Sequence, residues 1–385
     1  MSARLLLRGG RVLAPEGWLE EADVRIEGES IVDIGGGLAA NGAEVRDVRG
    51  SLVVPGFIDV HIHGADGAMC EEGEPEALRR ISRTLARFGV SGFLATLATI
   101  PFERMKKAVA AVAAVAGSEP GARLLGVHLE GPCLNPLRAG AQAVPWMRAL
   151  SAAELDDLQS ASGARIRLVT LAPEVEGASA LLAHAVARGI TVAVGHSDAT
   201  EEQMRAAVGA GARHVTHLFN AMRGLHHREP GVAGFALTTD DLSVELICDG
   251  HHLAPRVVDL AFRCKPAGKA VLVSDAVAAL GMPEGDCELF GVPCRIENGA
   301  VRLRDGGQLA GSCLRLDAAV RNVRAWVPHL ALEEVLRAAS SAAASVVGAS
   351  ACGHLRRGYI ADIAVLDPAL EVVATICRGS LIWER

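Results

Sequence analysis

Aromatic side chains are scarce in this chain, with 8 Phe, 4 Trp and a single Tyr among 385 residues. Non-specific binding of single-stranded nucleic acid needs aromatic platforms in a cationic groove. A formal charge of −7 removes the cationic half of that requirement too. No nucleic-acid partner is expected. Lysine is rarer still, present only at Lys106, Lys107, Lys265 and Lys269. No run of about 20 apolar residues occurs, so no membrane span is expected. The least charged long stretch, 338–353, reads as a packed helix of small residues. The apolar start in MSARLLLRGG is three leucines, far short of a signal-peptide core, and a cytoplasmic location is expected. Nine cysteines, an odd number without a CxxC pair, argue for reduced thiols and against a disulfide frame or a structural zinc site.

Apolar residues are plentiful: half the chain is hydrophobic and 22% charged, a balance that folds. The core must therefore be built from Ala, Val, Leu and Ile. Residues 3–54 read as short strands separated by turns, as do ADIAVLDP and LEVVATICRGSLIWE near the other end. This predicts a small β-sandwich from both termini, residues 1–54 plus 355–385, with a unit at 55–354 inserted between them. Within that unit eight apolar runs read as strands, at 53–60, 92–99, 123–130, 166–173, 190–197, 213–220, 242–250 and 270–276. Fully apolar runs suit parallel strands buried on both faces. Ala-rich helical stretches are expected at 75–88, 102–116, 152–159, 177–188 and 200–209. The fold class is α/β, a (β/α)8 TIM-like barrel with the small terminal β-sandwich. A doubly wound sheet would carry a Gly-rich phosphate turn after its first strand, where HIHG stands instead.

Thirteen histidines equal the whole aromatic count, and their placement is informative. His61 and His63 follow the first expected strand, Glu130 ends the third and His196 the fifth. His217, Asp249 and Asp275 belong to the sixth, seventh and eighth. Catalytic groups of such barrels sit at these C-terminal strand ends. His61 and His63, two apart on an extended segment, point to one side and can share an ion. Glu130, in HLEGP, would be a buried carboxylate stabilised by a cation. Glu130, His196 and His217 leave an open coordination position for water, which ionises near neutrality. The oxygen and nitrogen set suits Zn, Fe, Mn or Co, with one or two ions per chain. Asp275 is the natural proton carrier.

The segments PGFIDVHIHG, HLEGPCLNP, VGHSDAT, THLFNAM, HREPG, VSDA and LAGS resemble the amidohydrolase superfamily and, within it, the N-acetylglucosamine-6-phosphate deacetylases. The resemblance extends over nearly the whole chain, including GYIADIAVLDP. It implies a barrel plus a β-sandwich from both termini, with Glu130, His196 and His217 holding the principal ion. Many superfamily members bridge two ions with a carbamylated lysine after the fourth strand. None of the four lysines ends an expected strand, so Glu130 would have to bridge. The intact His61–His63 pair offers donors for a second ion. The resemblance further implies that Arg228, His252, Asn220 and Ala221 contact the substrate phosphate, partly across a homodimer interface. Leu309, Ala310 and Gly311 would close over the substrate. Where the family has Gly-Ala-His, this chain has Gly140-Ala141-Gln142; Ala141 and Gln142 are expected at the sugar, with an amide where a titratable ring would stand.

The expected activity is metal-dependent removal of acetate from a phosphorylated amino sugar, N-acetylglucosamine-6-phosphate. Asp275 would protonate the departing amine. The alternatives are an N-acetylgalactosamine-6-phosphate deacetylase or another N-acyl amide hydrolase, and, remotely, a non-catalytic barrel scaffold. The last should have lost ligands or the proton carrier, and none is lost.

Overall fold

The computed structural model describes residues 4–289 and 292–385; residues 1–3 of the expected terminal unit lie outside them. Eight parallel strands run in sequence order: β1 (Phe57–Ile62), β2 (Val90–Leu97), β3 (Arg123–Glu130), β4 (Ile166–Leu171), β5 (Thr191–Val194), β6 (His214–Val215), β7 (Ser243–Leu246) and β8 (Ala270–Leu272). The ring closes just past β8, where His63 N donates to Ala276 O at 2.8 Å and Asp275 N to His61 O at 2.9 Å. Consecutive order around a ring sets β2 and β3 across the axis from β6 and β7. Every residue of β1 and β2 is buried, as a strand covered on both faces requires.

Five expected helices are present, at Pro75–Ala86, Phe102–Val115, Ala152–Ala161, Ala178–Ala187 and Glu201–Gly209, while the packed helix expected over 338–353 shrinks to Ser341–Val346. Pro75–Ala86 shows why: Pro at N1 and Glu76 in the first turn favour the start, and Leu78, Ile81 and Leu85 form one buried stripe. Gly231–Thr238 was not expected as a helix. Its sequence, GVAGFALT, is apolar all round and buried at seven of eight positions, so it carries no helical period.

Five expected strands need correction. The run 53–60 splits at Gly56: Leu52–Pro55 joins the terminal sheet and β1 begins at Phe57. A Cβ on Gly56 would lie 2.3 Å from Ser91 Oγ, so the chain crosses between the two sheets where only glycine fits. The runs 190–197, 213–220, 242–250 and 270–276 shorten to β5, β6, β7 and β8. The residues beyond them leave extended geometry, with His217 at φ 30° and Asp275 at φ 49°.

Both termini contribute to one eight-stranded sheet, in which Leu52–Pro55 pairs antiparallel with Ile363–Leu366. The sheet curls around its own core of Leu5, Leu7, Val24, Ile26, Ile363 and Ile376. A four-stranded antiparallel sheet was not anticipated: Gly285–Leu289, Val292–Glu297, Ala300–Leu303 and Leu309–Ser312. Its Asn298-Gly299 turn between alternating strands is a hairpin signal. Leu309–Gly311, expected as a closing loop, belongs to its last strand, which Ser312 N ties to Asp275 O at 2.8 Å.

Gly56→Ala should destabilise the protein by about 1–3 kcal/mol, the range for overpacking a tight site. The check is a thermal or denaturant midpoint; an unchanged midpoint would mean the crossing has slack.

Candidate metal-dependent active site

The chemistry gathers at the C-terminal rim of the barrel. Glu130, the last residue of β3, is 2% exposed. Its Oε1 lies 3.0 Å from Nε2 of both His196 and His217, and these two nitrogens are 3.1 Å apart. Beside this triad, Asp275 Oδ1 lies 3.4 Å from His61 Nε2 and 3.5 Å from His63 Nε2. Glu130 joins the two groups, with Oε2 3.2 Å from His63 Nε2 and Oε1 3.5 Å from His61 Nε2. Burial alone would raise the Glu130 carboxyl; the surrounding His61, His196 and His217 imidazoles hold it well below the usual carboxylate range.

Short strands make this convergence. His196, His217 and Asp275 occupy the left-handed region at φ 47°, 30° and 49°, just past β5, β6 and β8. Non-glycine residues there carry strain that clusters at functional sites. The backbone turns inward instead of continuing outward, and the side chains meet over the barrel axis.

The donor chemistry fits a divalent ion. His61 Nε2 is buried and has no hydrogen-bond partner among the described residues, an unfavourable state that a cation relieves. On three of the four histidines the opposite ring nitrogen is tied down, while His217 Nδ1 has no partner among the described residues. His61 Nδ1 donates to Glu245 Oε2 at 2.8 Å, His63 Nδ1 to Glu71 Oε1 at 2.9 Å and His196 Nδ1 to the Arg138 carbonyl at 2.8 Å. Such acceptors fix the tautomer that turns the Nε2 lone pair toward a metal.

Glu71 and Glu245 were missed by sequence reasoning. Glu245 is fully buried and accepts from His61 Nδ1, from His214 Nε2 at 3.0 Å and from His217 N at 3.0 Å. One carboxylate thus braces both ligand groups. A charged residue inside the apolar run LSVELICDG was the available signal. Asp249, placed at the end of the seventh expected strand, meets His252: its Oδ2 accepts from His252 Nδ1 at 2.7 Å.

A cavity of about 560 Å3 opens over the cluster. It is lined by Ala141, Gln142, Asn220, Ala221, His252, Leu309, Ala310 and Gly311, all expected at the substrate. Gly140 packs so tightly that a Cβ would sit 3.3 Å from His196 Cε1, and its φ of +58° favours glycine besides. Gln142 differs from expectation in its partners. Its Oε1 accepts from Thr99 N at 2.6 Å and its Nε2 donates to Glu130 Oε2, so the amide braces the central carboxylate. Arg228 is not among the cavity-lining residues; it is exposed and donates to His227 Nε2 at 2.8 Å.

Residues 52–382 match the Amidohydrolase family. The chain belongs to this family. The chain is 38% identical to an N-acetylgalactosamine-6-phosphate deacetylase of Escherichia coli O157:H7 over 98% of both chains. It is 36% identical to an N-acetylglucosamine-6-phosphate deacetylase of Vibrio furnissii, covering 98% of this chain and 94% of that one. Among solved structures, a Mycobacterium smegmatis deacetylase in complex with N-acetyl-D-glucosamine-6-phosphate superposes with a TM-score of 0.92 at 32% identity, over 99% of each chain. This amidohydrolase therefore shares its whole architecture with enzymes of amino-sugar phosphates.

Glu245→Gln places an amide NH2 among three donors and should lower the affinity for zinc about 10- to 100-fold, the usual cost of losing such a brace. Metal content after dialysis against a graded chelator measures it; wild-type retention would mean that Glu245 serves the barrel core alone.

Proposed function

We propose that this amidohydrolase hydrolyses N-acetylglucosamine-6-phosphate to glucosamine-6-phosphate and acetate. The observation that carries the reading is the junction of Glu130, His196 and His217 with Asp275 at the floor of a cavity bordered by Asn220, Ala221 and His252. Glu130, His196 and His217 would hold one divalent ion, with His61, His63 and Asp275 as donors for a second. Zn, Fe, Mn and Co all suit this set. Such an ion supplies Lewis acidity and acidifies water.

The chain's own residues do the rest. Asp275 takes the proton of the attacking water and returns it to the amide nitrogen, so that the amine leaves neutral. Water adds across the C–N bond; acetate and the amine are the only products. Gln142 and Thr99 hold Glu130 in place. His252 meets the phosphate as a cation: burial opposes its charge, but the Asp249 carboxylate outweighs burial and raises its pKa above the ordinary value. Arg228, exposed beside His226 and His227, is the residue a second copy would bring to the phosphate, which supports a homodimer. A cytoplasmic enzyme is in keeping with the free cysteines. The terminal unit expected at 1–54 with 355–385 would serve as a separate domain beside the barrel at 55–354.

N-acetylgalactosamine-6-phosphate is the second reading, favoured by the 38% identity to an enzyme of that name. The two substrates differ only at one hydroxyl, so relative kcat/KM decides between them.

Asp275→Asn should lose at least about 100-fold in kcat while keeping its fold, the scale of general acid–base catalysis; near-normal acetate release would remove Asp275 from this role. The unphosphorylated sugar should be a far poorer substrate, and equal cleavage of both would overturn the phosphate reading. A His252 pKa raised by Asp249 keeps the ring charged to higher pH than a free imidazole, so KM for the phosphorylated substrate should climb as pH rises through that raised pKa. Asp249→Asn should move the climb to lower pH, read from KM–pH profiles of both proteins.

A further inference from the structure

The cavity has two unlike halves. Asn220, Ala221 and His252 follow β6 and β7 and form the polar half. Across the barrel axis, the connections after β2 and β3 supply Ile100, Pro101 and Trp146, and Val292 faces in from the four-stranded sheet. Trp146 is 50% and Val292 45% exposed, so this wall presents apolar surface that none of the described residues covers. Arg104, in the first turn of the helix Phe102–Val115, lines the same side. It is exposed and has no hydrogen bond or ion pair among the described residues.

Resting on the hydrolysis reading above, we propose that this half takes an N-acyl group longer than acetyl and ending in a carboxylate, of the succinyl type, with Arg104 as its counter-ion. The reasoning starts from the substrate's shape. In a hexosamine 6-phosphate, the phosphate arm and the 2-amide project from opposite sides of the ring. With the phosphate at β6 and β7 and the amide carbonyl at Glu130, the acyl chain runs away from His252 toward the β2 and β3 connections. An acetyl group offers that wall one methyl. Two methylenes would cover apolar surface, each gaining about three- to fourfold in binding. A plain alkyl chain would leave Arg104 facing the wall without a partner, whereas a terminal carboxylate supplies a charge-assisted, two-pronged acceptor. Gln142 does not compete for that carboxylate, because its amide is committed to Thr99 N and Glu130. The chemistry is unchanged: water adds across the C–N bond, and the products are the amine and a dicarboxylate.

The metal-loaded full-length enzyme is assayed on glucosamine-6-phosphate carrying N-acetyl, N-butanoyl or N-succinyl groups. The expected order of kcat/KM places succinyl about tenfold above butanoyl, with butanoyl at or above acetyl. In Arg104→Ala the succinyl-to-butanoyl ratio should collapse to about one, and Arg104→Lys should restore part of it. Equal succinyl-to-butanoyl ratios in wild type and Arg104→Ala would overturn the role of Arg104. Cleavage of the acetyl substrate with the longer chains refused would overturn the inference and leave the deacetylase reading standing. Failure on all three substrates would overturn that reading, and this inference with it.

Discussion

One buried carboxylate sets the terms for the rest of the molecule. Glu130 is nearly sealed from water and carries its charge in a barrel lined with Val, Leu and Ile, where an uncompensated anion is very costly. Four imidazoles within 3.0–3.5 Å answer that cost. Three of them are held with the lone pair inward from behind, by Glu71 for His63, Glu245 for His61 and the Arg138 carbonyl for His196. The barrel provides the rigidity, because β1, β3 and the ends of β5, β6 and β8 all point their final residues at the same spot.

Much of this was legible from residues alone. The architecture follows from the count of apolar runs and the helical stretches between them, and the ligand types fell at the ends of those runs. The limits of legibility were physical. A strand of two residues such as His214–Val215 cannot be told from its apolar continuation, because the inward turn at His217 depends on backbone angles that composition does not encode. Glu245 stood out as a charge inside an apolar run, but its partners are not local; only the closed ring brings it to His61 and His214. His214 itself, which had no part in the expected ligand set, proves to share that carboxylate. The four-stranded sheet carried an Asn-Gly turn, but its first strands are short and largely exposed, so no apolar run marks them.

Gln142 shows how one position can change meaning with context. By resemblance it belongs to the sugar. Its geometry ties it to the carboxylate that holds the site together and to the backbone after β2. An amide there donates and accepts at once, which a carboxylate with two open lone pairs beside a backbone N–H calls for. The substitution is thus absorbed by the bracing of the site, while the surrounding wall faces the ligand.

The pairing of Leu52–Pro55 with Ile363–Leu366 joins segments separated by more than 300 residues. During synthesis the N-terminal strands therefore wait with one edge bare until nearly the whole chain has emerged. An unpaired edge is a template for pairing with another chain. Contacts this remote in sequence also form late, because loop closure must come first. Assembly of this enzyme thus has a built-in order, in which the catalytic ring can gather before the sheet that anchors both its ends. Nascent chains are most open to aggregation in the interval between those two events.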